Sequence, residues 1–345
     1  MPQTASAPTQ RGPGVSLAER IKAGDLAAAP ALLNLLESAA SRDRDQAQAL
    51  LEALSPCRLG GEAQGQIIGL TGPPGAGKST LLGALIGRLR AEGERSIAVL
   101  AVDPSSKRSG GSLLGDRVRI ALPTPDPRVF IRSSAAGDRH GGLSRATRQA
   151  AEALAVAFDL VVIETVGVGQ SETEVAEVAD TVVLVVQPGS GDTLQFLKAG
   201  IMEIPDIIVV TKADLGELAQ RSARELEASL RTLGTGQGAG ATPPSVIALS
   251  ALEPPSGLEQ LLEAIDAQAR ALRAGGGRAL AERRERARRA GALSDFEREH
   301  GERGVRTLGG RRRAEAILAS QPAGASSAEL AHALELALAA SQAEQ

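Results

Sequence analysis

Between an apolar run, 67–71, and a helix-period stretch, 79–91, stands Gly72-Pro73-Pro74-Gly75-Ala76-Gly77-Lys78-Ser79-Thr80. The order strand, G-x-x-x-x-G-K-[ST], helix is the context that makes this pattern a phosphate-binding loop. Gly72, Gly75 and Gly77 let the backbone curl until its N–H groups point inward at phosphate oxygens. The helix that follows presents its positive dipole end to the same place. Lys78 brings a compact charge to the β- and γ-phosphates, and Ser79 a hydroxyl to Mg²⁺. Only five lysines stand among 38 basic residues, so a lysine here is a choice rather than an accident of composition.

Such a loop needs a parallel sheet behind it, and the rest of the chain supplies one. Further β-branched runs lie at 97–103, 129–132, 160–164, 181–187, 207–211 and 246–250. They are nearly continuous in hydrophobicity, as strands buried on both faces should be. Helical patterns at 143–157, 192–203, 217–233 and 257–272 alternate with them. The fold class is therefore α/β: a P-loop NTPase with a mostly parallel sheet flanked by helices. Ligands in such folds sit at the carboxyl ends of the strands.

Those strand ends carry more chemistry. Thr211-Lys212-Ala213-Asp214 fits [NT]-K-x-D, in which the Asp214 carboxylate can accept both N1–H and N2–H of guanine. The aliphatic stem of Lys212 can cover the base. Ser250-Ala251-Leu252, one strand later, suits the backbone contact to guanine O6. Glu164 ends an apolar strand as an Mg²⁺ partner would, and Gly167 follows in E-x-x-G, where it can offer an N–H to the γ-phosphate. Gln170 is a candidate for orienting the attacking water. Asp103 and Asp116 bracket a Ser/Gly-rich loop suited to closing over phosphate, which makes both candidate metal-shell carboxylates. Arg108 in that loop is a candidate for stabilising charge on the γ-phosphate. The expected ligands are GTP or GDP with Mg²⁺.

Outside this region the chain reads as helical extensions. Residues 1–59 form a disordered leader and N-terminal helices, broken near Gly24-Asp25 and Pro30 and ending at Pro56. Residues 60–272 form the P-loop GTPase domain. Residues 273–345 form an Arg-rich helical extension with helix candidates at 279–290 and 327–342. Segment 273–313 holds thirteen Arg against six acidic residues. That excess admits a nucleic-acid reading, but the interleaved Glu argues for an ion-paired helix face instead. Four Phe with no Tyr or Trp exclude aromatic stacking platforms. One Cys excludes an intramolecular disulfide and a Cys-cluster metal site. No apolar stretch reaches the ~18 residues of a membrane span, and no secretory h-region opens the chain, so a cytoplasmic location is expected.

GPPGAGKST, VLAVDPSSKRSGGSLLGD, ETVGVGQSE, QPGSGDTLQFLKAGIMEI and TKAD, in this order, resemble the MeaB/ArgK family of GTPases over about residues 60–260. Its animal counterpart is the methylmalonic aciduria type A protein. The resemblance implies a homodimeric GTPase chaperone that gates cofactor loading of an adenosylcobalamin-dependent acyl-CoA mutase and protects it. It also implies a switch over 187–198 that couples nucleotide state to that partner, with Asp192, Gln195 and Lys198 as its polar positions. The segment Arg132 to Gly142 departs from the family's spacing. The alternatives are a nickel-insertion-like metallochaperone GTPase, a lysine/arginine/ornithine transport kinase or a signal-recognition-type GTPase. The first needs His or Cys ligands, and His140, His300, His332 and Cys57 are scattered along the chain.

Overall fold

The β-branched runs become seven strands, all parallel: β1 (Gln66–Thr71), β2 (Ile97–Asp103), β3 (Val129–Ala135), β4 (Leu160–Glu164), β5 (Thr181–Val186), β6 (Ile207–Val210) and β7 (Ser245–Ala248), in the spatial order β3-β2-β4-β1-β5-β6-β7. A computed structural model describes residues 12–103, 126–135, 143–165, 171–189, 205–234, 244–252 and 254–343. β1, β4, β5 and β6 are buried throughout, as their unbroken hydrophobicity requires. The helices between them are α5 (Lys78–Glu92), α6 (Arg145–Leu154), α7 (Ser171–Ala176), α8 (Glu217–Gly234) and α9 (Leu258–Arg273). Leu81, Leu85 and Leu89 of α5 and Leu258, Leu261 and Ile265 of α9 close one face around Ile68, Val99 and Val183. The other face is closed by α6 and by helices of the N-terminal region.

That region is α1 (Pro13–Lys22), α2 (Ala29–Glu37), α3 (Ser41–Ala53) and the short α4 (Pro56–Leu59). The expected break at Gly24 is present, with Gly24 at φ 75°. The break expected near Pro30 falls just before it, where a 3₁₀ turn (Leu26–Ala28) gives way to α2. Pro30 sits in the first turn of α2, where a missing N–H costs nothing, and Pro56 opens α4 for the same reason.

The C-terminal region departs from expectation. The helix expected over 279–290 runs on as α10 (Arg278–Thr307), interrupted at Gly301. It is followed by α11 (Arg311–Ala319), which the sequence did not signal, and α12 (Ser327–Ala343). Phe296, Leu308, Leu318, Leu330 and Leu334 give these three helices a core of their own. The arginines of α10 divide by direction. Arg278 and Arg289 pair with Glu282 and Glu285 on the helix itself. Arg283, Arg284 and Arg288 turn inward to Asp206, Asp180 and Glu62. Part of the positive charge is thus neutralised within the fold.

Arg284 is almost fully enclosed, with its side chain 6% exposed and that of Asp180 1%. Its Nε and Nη2 donate to the two Asp180 oxygens, while Nη1 donates to the Ala63 carbonyl and Nη2 to the Gly65 carbonyl. Asp180 also accepts from the Ile67 N–H at 2.8 Å. The pair therefore pins α10 to the beginnings of β1 and β5, opposite the loops that carry the motifs.

Glu152 of α6 shares a small internal cavity with Arg284 and Arg288. Burial pushes its carboxyl from the ordinary 4.5 up to about 7, with Arg288 opposing the shift. The folded value lies above the unfolded one, so this group's stabilisation is complete below pH ~4.5 and is lost as pH rises through about 7. Glu152→Gln is expected to flatten the fall in melting temperature between about pH 5 and pH 8. Parallel profiles for the two proteins would contradict this assignment.

Candidate functional site

The carboxyl ends of β1, β4, β6 and β7 converge, and each carries one of the motif segments. After β1 the chain turns through Gly72 at φ 143°, and a Cβ there would lie 2.0 Å from the Val185 carbonyl oxygen of β5. Only glycine lets the loop leave the sheet so close to its neighbour. Gly75 and Gly77 also take positive φ, at 78° and 92°, and α5 begins at Lys78. Lys78 is buried, and its Nζ donates to the carbonyls of Gly72 at 2.7 Å and Pro73 at 3.0 Å. The ammonium thus lies across the mouth of the loop. Ala76 is buried, while Pro74, Gly75 and Thr80 are exposed.

The Ser79 hydroxyl donates to Glu164 Oε1 at 2.7 Å. The two residues are 85 positions apart and meet because β4 lies beside β1 in register, with Leu70 opposite Glu164. Thr165 binds this junction twice. Its N–H donates to the Leu70 carbonyl and its hydroxyl to Thr71 Oγ1, both at 3.0 Å. A hydroxyl and a carboxylate converging at the start of a phosphate loop form a hard oxygen donor set, which suits Mg²⁺.

The guanine motif follows β6. The Thr211 hydroxyl donates to the Ala76 carbonyl of the phosphate loop at 2.7 Å, and the Val186 carbonyl lies 3.1 Å from the same oxygen. Thr in place of the commoner Asn therefore keeps a direct tie between the two motifs. Lys212 takes φ 56°, the one positive φ among the described non-glycine residues, and its Nζ donates to Gln187 Oε1 at 2.7 Å. This left-handed turn lifts Asp214 to the surface, where its Oδ1 accepts from the Ser250 hydroxyl at 2.9 Å. The Leu252 N–H donates to the same hydroxyl oxygen at 3.3 Å, and Ala251 is half-buried between them. Asp214 and Ser250-Ala251-Leu252 are thereby brought together from two strands.

Asp103 ends β2, but its side chain lies outside what the structure describes. So do Arg108, Asp116, Gly167, Gln170, Asp192, Gln195 and Lys198. Three residues that the motif reading did not single out hold the site: Thr71, Thr165 and Gln187. Each stands at the end of a strand or next to one, and that position was the available signal.

Residues 29–301 match the family described as methylmalonyl Co-A mutase-associated GTPase MeaB. A Pyrococcus horikoshii protein bearing a GTPase name is 50% identical over 199 residues, covering 57% of this chain and 60% of its own length. The mouse methylmalonic aciduria type A homolog, a mitochondrial protein, is 41% identical over 211 residues, 58% of this chain and 50% of that one. The similarity thus spans about half to three-fifths of these relatives. A crystal structure titled LAO/AO transport system kinase superposes with a TM-score of 0.64 at 26% identity, covering 98% of this chain and 99% of that one.

Proposed function

The chain belongs to the MeaB family of GTPases, and from that premise we propose that it hydrolyses GTP to GDP and phosphate in order to act on an adenosylcobalamin-dependent acyl-CoA mutase. The observation that carries the reading is the 2.7 Å contact between Ser79 and Glu164, because it unites the phosphate loop with an acidic strand end. Backbone N–H groups of 72–78 bind the phosphates. Lys78 leaves the Gly72 and Pro73 carbonyls for the β- and γ-oxygens. Ser79 and Glu164 hold Mg²⁺, which when bound neutralises charge on the phosphate oxygens. Asp214 exchanges its Ser250 partner for the guanine N1–H and N2–H, and Thr211 keeps base and phosphate sites at a fixed separation. Catalysis of this kind rests on positioning and charge stabilisation. Arg108, Gln170, Asp103 and Asp116 are proposed to complete the site, and Asp192, Gln195 and Lys198 to transmit its state to the mutase.

Two measurements test this. Asp214→Asn turns one acceptor oxygen into a donor, so GTP affinity is expected to fall on the order of 10²–10⁴-fold while XTP affinity rises. Unchanged GTP affinity would place the base elsewhere. Capture of a cobalamin-dependent mutase should depend on whether the chain holds GDP or a non-hydrolysable GTP analogue. Absence of binding in both states removes the mutase role and leaves the GTPase untouched.

A further inference from the structure

We propose that α10 and α12 carry a site for a divalent transition metal of the zinc class, formed by Glu299, His300 and Glu335. One ligand atom from each lies within 4.8 Å of the others. His300 Nε2 and Glu335 Oε1 are already 2.7 Å apart. Metal–ligand distances of about 2.0–2.2 Å in tetrahedral geometry put neighbouring ligand atoms roughly 3.3 Å apart. That pair therefore opens by about half an ångström on binding, and the third oxygen draws in.

The imidazole is held in place. His300 is the last residue before Gly301, whose φ of 61° and ψ of −168° break α10. The Phe296 ring, buried one turn earlier, lies 4.6 Å from the His300 ring at 42°. Past the break, a Cβ on Gly304 would stand 2.2 Å from His300 Cβ, so the chain closes on His300 only because residue 304 is glycine. Helix kink, aromatic support and close approach all fix the ring that faces Glu335.

Access comes from the neighbouring cavity of about 490 Å³, whose wall includes Glu299, His332 and Glu335. His332 stands one turn before Glu335 on α12. Three protein ligands with a fourth position open to water is a familiar zinc arrangement. The imidazole nitrogen favours zinc-class ions over Mg²⁺ or Ca²⁺, which prefer oxygen alone. The cluster of Glu299, His300 and Glu335 is remote in sequence from the Ser79–Glu164 pair.

The full chain, held with GDP and excess Mg²⁺ so that the nucleotide site is filled, is titrated with Co²⁺ and then with Zn²⁺. One saturable site is expected, seen as visible d–d absorption that Zn²⁺ abolishes. His300→Ala and Glu335→Gln should each weaken Zn²⁺ binding by roughly 10–100-fold. Glu299 is exposed, so Glu299→Gln gives a folded variant that should also bind more weakly, even if loss of His300 loosens the Phe296 contact. Absence of saturable binding, or Zn²⁺ affinity unmoved by Glu335→Gln and Glu299→Gln, would leave His300–Glu335 as a hydrogen bond tying two helices and would overturn the proposal.

Discussion

Lys78→Ala is expected to reduce phosphate release from GTP by roughly 10³-fold or more. The ammonium is buried at the loop mouth, and the Gly72 and Pro73 carbonyls to which it donates leave it pointing across the place where phosphate oxygens would sit. Alanine removes the one compact positive charge the loop supplies, while Ser79, Glu164 and the backbone N–H groups remain. Lys78→Arg should not restore the rate. A guanidinium is larger and planar, and it would have to fit where Nζ now contacts two carbonyls of the loop. Single-turnover phosphate release with saturating GTP and Mg²⁺ measures the effect apart from any loss of affinity. Activity within about threefold of the unsubstituted protein would mean that this lysine is not part of the reacting centre.

Arg284→Ala is expected to cost about 3–5 kcal/mol of stability. The attraction between Arg284 and Asp180 is in part offset by the cost of taking both out of water, so the pair itself is worth less than this. The large effect comes from what is left behind. Asp180 would retain the Ile67 N–H but lose both guanidinium contacts, and the Ala63 and Gly65 carbonyls would lose the donors that now reach them. Chemical denaturation of the full chain reads the loss directly. Because an uncompensated charge is the cause, adding Asp180→Asn to Arg284→Ala should recover part of it, and a double-mutant cycle gives the coupling. A loss below about 1 kcal/mol would show that water reaches Asp180 and replaces the arginine.

The parts of this molecule that were legible in its sequence are those whose physics is local. A run such as 181–186 is short, β-branched and unbroken in hydrophobicity, as a buried strand is, and the phosphate loop carries its glycines, its lysine and its helix start within nine residues. Asp214 and Ser250 were legible because each follows a strand, and parallel strands bring their ends together. The extent of α10 was not. It has no continuous apolar stripe, and part of its inward face is made of Arg284 and Arg288, which look like surface until Asp180 and Glu62 are brought alongside. Pro30 was legible as a boundary because proline is excluded from a helix interior yet suits the first turn, where it stands in α2. The meeting of His300 with Glu335 depends on how α10 packs against α12, which no spacing rule supplies.

The Arg284 clamp also bears on how the chain becomes folded. Its guanidinium reaches carbonyls 221 and 219 positions earlier, among the longest separations bridged by side chains in the described residues. A chain emerging from the ribosome from its amino end lays down β1 to β7 before α10 exists, so these contacts close after those of the sheet. Interactions made after the rate-limiting step leave the folding rate unchanged and slow unfolding instead. Where the clamp closes after that step, it is a latch on kinetic persistence, bearing on how long an assembled molecule lasts more than on how quickly it assembles.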